Sequence, residues 1–326
     1  MDQKRYVVSV SPHLRQGRTI RSMVFLFIAA LLPAAAWGVY QFGVPALVVL
    51  LAGVVGAVGT EALMGRITGQ GLTVKNGHAA LVGLVLAMML PPGAPWWLAL
   101  LGAAMGILVG KLPFGPLGGA PLNPAVVGVL IVAISWPDHV NAFRQPLSAP
   151  EALRSGDAAP AEHPLDAVRT DPSDVGESDA KTVFLGHQVG PIGGISPLLL
   201  LLGGLFLIWR RVIRWQAPAG FLLGVFAVAG IAASVAPMTS PPAWFHLATG
   251  LVVFGAFFLC TDWSSTPVSP WGLFLFAFCA GALAVVLRMT DLHFGRVPWA
   301  IVIMSLATPL FDRIVQAPFG KVVRHA

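Results

Sequence analysis

Charge is what this chain has least of. Only 10% of its 326 residues are Asp, Glu, Lys or Arg, against 56% hydrophobic. So few charged groups cannot clothe a water-soluble sphere, which excludes an ordinary globular domain and leaves an integral membrane protein. Cysteine is nearly missing too. Cys260 and Cys279 both lie in apolar stretches with no C-x-x-C pair or metal-spaced cluster beside them, so no disulfide, iron–sulfur or other metal site built by this chain alone is expected. The first residues lack the short apolar core and small-residue cleavage site of a signal peptide, and the first apolar run is expected to stay as an anchor. A net charge of +6 would suggest nucleic acid in a soluble domain. Here Lys and Arg sit mainly at the ends of apolar runs, where they orient the chain, and no nucleic-acid partner is expected.

Acidic residues are scarce and unevenly spread: nine of the fourteen fall between Asp138 and Lys181. Both flanks read as membrane. Crossing about 30 Å of hydrocarbon takes roughly twenty apolar residues, and fewer where a segment is sheltered inside a bundle. The expected cores are Met23–Tyr40, Val44–Leu63, His78–Leu90, Trp96–Val109 and Asn123–Trp136, then Ile195–Trp209, Ala219–Ala236, Phe245–Leu259, Leu273–Leu287 and Trp299–Leu310. The fold class is therefore an all-α polytopic membrane protein of about ten helices. Its expected parts are an N-terminal segment 1–22, a membrane half 23–137, an acidic loop 138–193, a second half 194–312 and a tail 313–326.

Lys4, Arg5, Arg15, Arg18 and Arg21 precede the first span, which predicts cytoplasmic termini and an external, periplasmic loop in a bacterial inner membrane. Arg66, Lys75, Lys111, Arg210, Arg211, Arg214 and Arg313 then fall inside as well, while Arg288 and Arg296 fall outside, against the rule. The halves echo one another. His78 and His246 each open a short run, followed by a Gly/Ala-rich span, a turn (FGPLGG or HFGRVP) and a last span. Five spans per half is an odd number, so the halves should be inverted, the plan of many transport folds.

The runs opened by His78 and His246 end in Pro91-Pro92 and in the polar stretch Asp262–Ser269. Proline stops a helix, so backbone groups are left open near membrane depth. They serve either as ligands for an ion or a phosphate, or as a kink that neighbouring helices close. Glu61, His78, His246 and Asp262 are the ion-path candidates, with Asp312 a further carboxylate near a span end. The plain alternatives are solvated interfacial carboxylates and packed histidines. Trp96, Trp97, Trp136, Trp209, Trp215, Trp244, Trp271 and Trp299 read as interface anchors.

Several motifs make the chain resemble a known family. LTVKNGHAALVGLVLAMMLPPGAPWW, GKLPFGPLGGAPLNPAVVG and ISWP in the first half, with HLATGLVVFGAFFLCTDWSSTPVSPWG and ATPLFDR in the second, resemble the RnfD/NqrB family over nearly the whole length, RnfD more closely. The resemblance implies a membrane subunit of a multi-subunit, ion-translocating redox complex, not catalytic on its own, moving Na+ or H+ as electrons pass between ferredoxin or NADH and an acceptor. It also implies FMN joined through its phosphate to a threonine of a Ser-Gly-Ala-Thr-Pro-Leu motif in the loop between the halves. In this chain His163 stands where that threonine belongs, followed by Pro164, Leu165 and Asp166. Imidazole offers no hydroxyl for a phosphoester. The expectation is FMN held without a bond, with His163, Pro164, Leu165, Asp166, Thr170 and Asn123 as the cofactor-site candidates and Arg169 or Lys181 pairing the phosphate. Gly193-Gly194 also replaces an acid that relatives usually carry before the sixth span. Two other readings stay open on the residues alone: a stand-alone channel or transporter for a small solute, and a structural subunit without cofactor.

Overall fold

The computed structural model describes residues 19–69, 76–115, 118–146, 159–164, 180–235, 241–290 and 295–314. Leu165, Asp166, Arg169 and Thr170 lie outside them. The described residues form helices and, at Arg144 and Pro160, one isolated antiparallel bridge. The first half comprises α1 (Ile20–Phe42), α2 (Val44–Ile67), α3 (His78–Met89), α4 (Trp96–Gly110) and α5 (Pro124–Ser135). Short helices α6 (Pro137–Val140) and α7 (Ala180–Leu185) follow. The second half comprises α8 (Pro197–Trp209), α9 (Gln216–Val235), α10 (Ala243–Ala248), α11 (Val252–Phe254, running on as a π-helical turn Gly255–Leu259), α12 (Pro270–Arg288), α13 (Arg296–Leu306) and α14 (Thr308–Ile314).

Five of these, α1, α2, α4 with its 3₁₀ extension to Phe114, α9 and α12, are long and apolar enough to cross a membrane. The shorter apolar helices α3, α5, α8 and α13, with the interrupted α10–α11, complete the ten expected runs. Serine caps and proline fix where two second-half helices begin. Ser196 accepts from Leu199 N at 3.5 Å ahead of Pro197, and Ser269 accepts from Gly272 N at 3.0 Å ahead of Pro270. The second cap starts α12 earlier than the expected Leu273, because hydropathy does not register a first turn made of proline and tryptophan. Trp209, Trp271 and Trp215 are 75%, 74% and 58% exposed, as interface anchors should be.

We call the face of the bundle where α1 begins the near face, and that where α1 ends the far face. The two halves pack alike. In the first, α2 lies along α4 and α4 along α5; in the second, α9 lies along α12 and α12 along α13. Small residues allow this closeness. A Cβ on Gly224 of α9 would land on the carbonyl of Phe278, and one on Gly281 of α12 on that of Phe221. In the first half the backbones at Gly53 and Gly83 touch in the same manner.

Two helices stop inside the protein, and their ends are closed by it. Pro91-Pro92 ends α3 after Leu90, which is fully buried. The carbonyls of Met88 and Leu90 accept from Gly193 N at 2.7 Å and Ile192 N at 3.0 Å. Gln188 Nε2 donates to Ala248 O at the end of α10 (3.0 Å) and to Ile195 O (2.8 Å). Residues 186–195, the end of the expected external loop, are thus part of the bundle and join the two broken helices. For the end at Pro91-Pro92, closure by neighbours is the role found. The second break lies within the expected Phe245–Leu259 run: Thr249 is extended and Gly250 takes φ +66°. No side chain fits at position 193, where a Cβ would stand 2.6 Å from that of Met88.

Substitution Gly224→Val would force α9 from α12, and overpacking of this kind costs about 1–3 kcal/mol. A lowered midpoint of thermal unfolding in detergent is expected; an unchanged midpoint would contradict the close approach.

Candidate functional sites on the two faces

The near-face site is built at the starts of α3 and α5 and the end of the π-helical turn. Gly77, at φ +74°, begins α3 and places His78; Asn123 caps α5, its Oδ1 accepting from Ala125 N at 3.0 Å. With Thr261, Asp262 and Phe258 they line a cavity of ≈ 30 Å³, room for one water-sized guest. His78 is buried, and its Nδ1 has no hydrogen-bond partner among the described residues. Asp262 Oδ2 accepts from Ser264 Oγ at 2.7 Å and Ser265 Oγ at 3.0 Å, and its carbonyl accepts from Thr266 Oγ1 at 2.8 Å. Those bonds fold the TDWSST segment into a tight turn. Thr261, Asp262 and Trp263 also line a second cavity of ≈ 250 Å³ toward the near face, beside Arg214 and Thr266. Arg214 Nη1 donates to Val268 O at 2.6 Å. Asp262 is thus among the residues that line both chambers.

The other ion-path candidates lie elsewhere. Glu61 is not a solvated interfacial carboxylate: it is 2% exposed and accepts from Lys111 Nζ at 2.7 Å, tying the end of α2 to the end of α4. Breaking such a buried pair by removing one partner costs about 3–5 kcal/mol, which marks the pair as a structural tie. His246 is 1% exposed within α10 and lines neither chamber. Asp312 Oδ1 accepts from Val268 N at 3.0 Å and fixes the turn before α12.

The far-face site explains the two arginines on the wrong side. Arg288 ends α12 and Arg296 begins α13, and they are only 3% and 6% exposed. Arg288 donates from Nη1 to Thr249 O at 3.0 Å and from Nη2 to Thr249 Oγ1 at 2.7 Å, setting positive charge at the carbonyl end of α10. Buried in protein, these charges escape the loop-charge rule. Residues 159–164 of the acidic segment close over them, held by Gln145 N to Ala159 O (3.0 Å) and Ala161 N to Phe143 O (3.1 Å). The His163 imidazole lies edge-on to Phe143 with ring centres 5.3 Å apart and faces Gly250. Phe143, His163, Arg288 and Arg296 bound a pocket with ≈ 50 Å³ of free space. Burial, then the charges of Arg288 and Arg296, hold the His163 pKa down to about 3.

A flavin phosphate tests this pocket on three counts. Two buried guanidiniums suit a phosphate. His163 cannot form the phosphoester. Ligand pockets hold about 300–1,000 Å³, so the flavin ring does not fit while residues 159–164 are seated. Asn123, named with His163 as a cofactor candidate, is on the opposite face with His78 and Asp262. Lys181 lines a separate apolar groove. Arg288 and Arg296 were legible only as exceptions to the charge rule; nothing in the sequence paired them with His163.

Comparison with known proteins settles the family. Residues 7–320 match NQR2, RnfD, RnfE. The chain belongs to that family. It is 34% identical over 321 residues, 95% of each chain, to the D subunit of the proton-translocating ferredoxin:NAD(+) oxidoreductase complex of Clostridium ljungdahlii. It is 32% identical over 324 residues, 97% of this chain and 95% of the relative, to the D subunit of the Na(+)-translocating ferredoxin:NAD(+) oxidoreductase complex of Acetobacterium woodii. The D subunit of the ion-translocating oxidoreductase complex of Stutzerimonas stutzeri shares 35% over 310 residues, 87% of each.

The seated imidazole makes docking of 159–164 sensitive to acid. The docked pKa lies below the ordinary 6.5, so docking is favoured by the neutral ring. Its contribution is complete above about pH 6.5 and is lost as pH falls toward about 3. Hydrogen exchange at Ala161 N should quicken, after correction for intrinsic rates, as pH falls from 7 to 4. His163→Gln should remove that dependence.

Proposed function

We propose that this chain is the membrane subunit of an ion-translocating electron-transport complex of the ferredoxin:NAD(+) oxidoreductase type, working with partner subunits that carry the soluble redox chemistry. The carrying observation is near-end-to-end similarity to the D subunits of such complexes, together with buried polar sites on both faces of an apolar bundle. In this reading the chain sits in a bacterial inner membrane with both termini cytoplasmic, so the near face is cytoplasmic and the acidic loop is external. The basic residues at the near ends of the spans support that orientation.

The coupling cation, Na+ or H+, enters from the near face past Asp262 toward His78. Support comes from the carboxylate's place on the wall common to both chambers. Asp262→Asn keeps an oxygen for the Ser264 and Ser265 hydroxyls while removing the charge. Cation movement by the complex in vesicles should fall at least tenfold in that variant, with assembly intact. Transport at the original rate would remove Asp262 from the path.

FMN would be held beside the acidic loop without a covalent link, with Arg288 and Arg296 as the residues that would hold its phosphate, and residues 159–164 would have to be displaced to admit the ring. When bound, the flavin supplies one- and two-electron transfer; the arginines hold its phosphate. The seated His163 favours a second reading, a subunit whose cofactor has been lost. Denatured polypeptide on a gel should show no flavin fluorescence in either case. Native complex should release FMN on acid denaturation, less from Arg296→Gln, and His163→Thr should gain the mass of one FMN on the loop if a flavin transferase acts on it. A native complex whose FMN content is unchanged by Arg296→Gln would place the flavin elsewhere, and one whose FMN is all accounted for by other subunits would support the second reading.

A further inference from the structure

The two halves differ in one place large enough to matter. In the first half, α3 lies against α2 with the backbones of Gly53 and Gly83 touching. In the second half, the interrupted α10–α11 packs on α9 less closely, and a groove of ≈ 730 Å³ lies on the flank of the bundle. Phe184, Leu201, Leu222, Trp244 and Val253 line it, and among its lining residues only Lys181 is charged. Leu222 lies about 20 Å down α9 from its far-face end, at 1.5 Å per residue, so the groove extends past the middle of a bilayer core of about 30 Å. Trp244 is 38% exposed near the far-face start of α10, the depth at which indole marks a membrane interface.

We propose that this groove binds one acyl chain of an anionic phospholipid, with the lipid phosphate at Lys181. A groove so apolar, open to the flank of a membrane bundle, takes a hydrocarbon chain. Its depth of about 20 Å lets an extended acyl chain lie along it, and the exposed lysine at its interfacial end complements a phosphate. A partner helix fits less well. Close packing of helices in membranes favours Gly, Ala and Ser, whereas this groove is lined mainly by Phe, Leu, Trp and Val. The site deepens the reading as an assembled membrane subunit without depending on it, since lipid binding is measured whether or not electrons flow.

The test uses the assembled complex in phosphatidylcholine nanodiscs containing a trace of phosphatidylglycerol with a diazirine on its acyl chain. Irradiation should label peptides of α8 and α9 around Leu201 and Leu222. Excess unlabelled phosphatidylglycerol should compete, and excess phosphatidylcholine should not. Lys181→Glu, on an exposed residue, should lower the labelling about fivefold or more, the scale of one lysine's attraction for an anionic headgroup. Leu222→Trp, which fills the groove, should abolish it. Labelling spread evenly over outward residues such as Phe25 and Leu32, or indifferent to Lys181→Glu, overturns the proposal. So does displacement by a polyprenyl quinone but not by phosphatidylglycerol, which would assign the groove to quinone instead.

Discussion

A helix that stops inside an apolar bundle must have its last carbonyls paired by protein, because hydrocarbon offers them no donor. α3 and α10 both stop this way. Backbone N–H groups of Ile192 and Gly193 serve the first, and Gln188 and Arg288 serve the second. Much of the architecture follows from this. Residues 186–195 have to enter the bundle, which pulls the end of the acidic loop inward and ties the halves together at their centre. Arg288 has to be buried on the far face, which makes a positive pocket there whatever else the protein does. Gly193 and Gly194 have to stay bare, since a Cβ on either would strike Met88, Gly250 or Pro191.

The repeated packing of the halves puts comparable features on opposite faces. On the near face, the starts of α3 and α5 border a chamber; on the far face, the break at Gly250 and the start of α13 border another. Their chemistry differs in sign. The near chamber has a carboxylate and hydroxyl groups, and the far one has two guanidiniums and an imidazole kept neutral by burial and by them. A cation is stabilised at the first and an anion at the second. One packing plan thus carries opposite charge at its two ends.

Hydropathy was enough to read the class, the number of runs and the pause at Pro91-Pro92, because those depend on local composition and on proline. Pairings across the chain were not legible. Glu61 looked like an interfacial carboxylate because its partner Lys111 is fifty positions away on a helix whose rotation no local pattern sets. The break at Gly250 hid within an apolar run, where glycine between Thr249 and Leu251 reads the same whether it kinks a helix or packs against a neighbour. His163 was noticed for the hydroxyl it lacks. That its ring would fill the pocket between Arg288 and Arg296 depends on residues more than a hundred positions on, and only the fold brings them together.

The identity of the coupling ion is decided below the level of sequence similarity. Two relatives, at 34% and 32% identity, are named for proton and Na+ translocation respectively. Overall likeness therefore separates the two ions no better than the two percentages separate the relatives. A proton needs only a carboxylate it can join, whereas Na+ needs several oxygens converging at once. At Asp262 the hydroxyls of Ser264 and Ser265 now point their hydrogens at the carboxylate, and rotation about their C–O bonds would turn lone pairs toward a cation beside it. In the proposed path, this turn offers a carboxylate to a proton and hydroxyl oxygens to Na+.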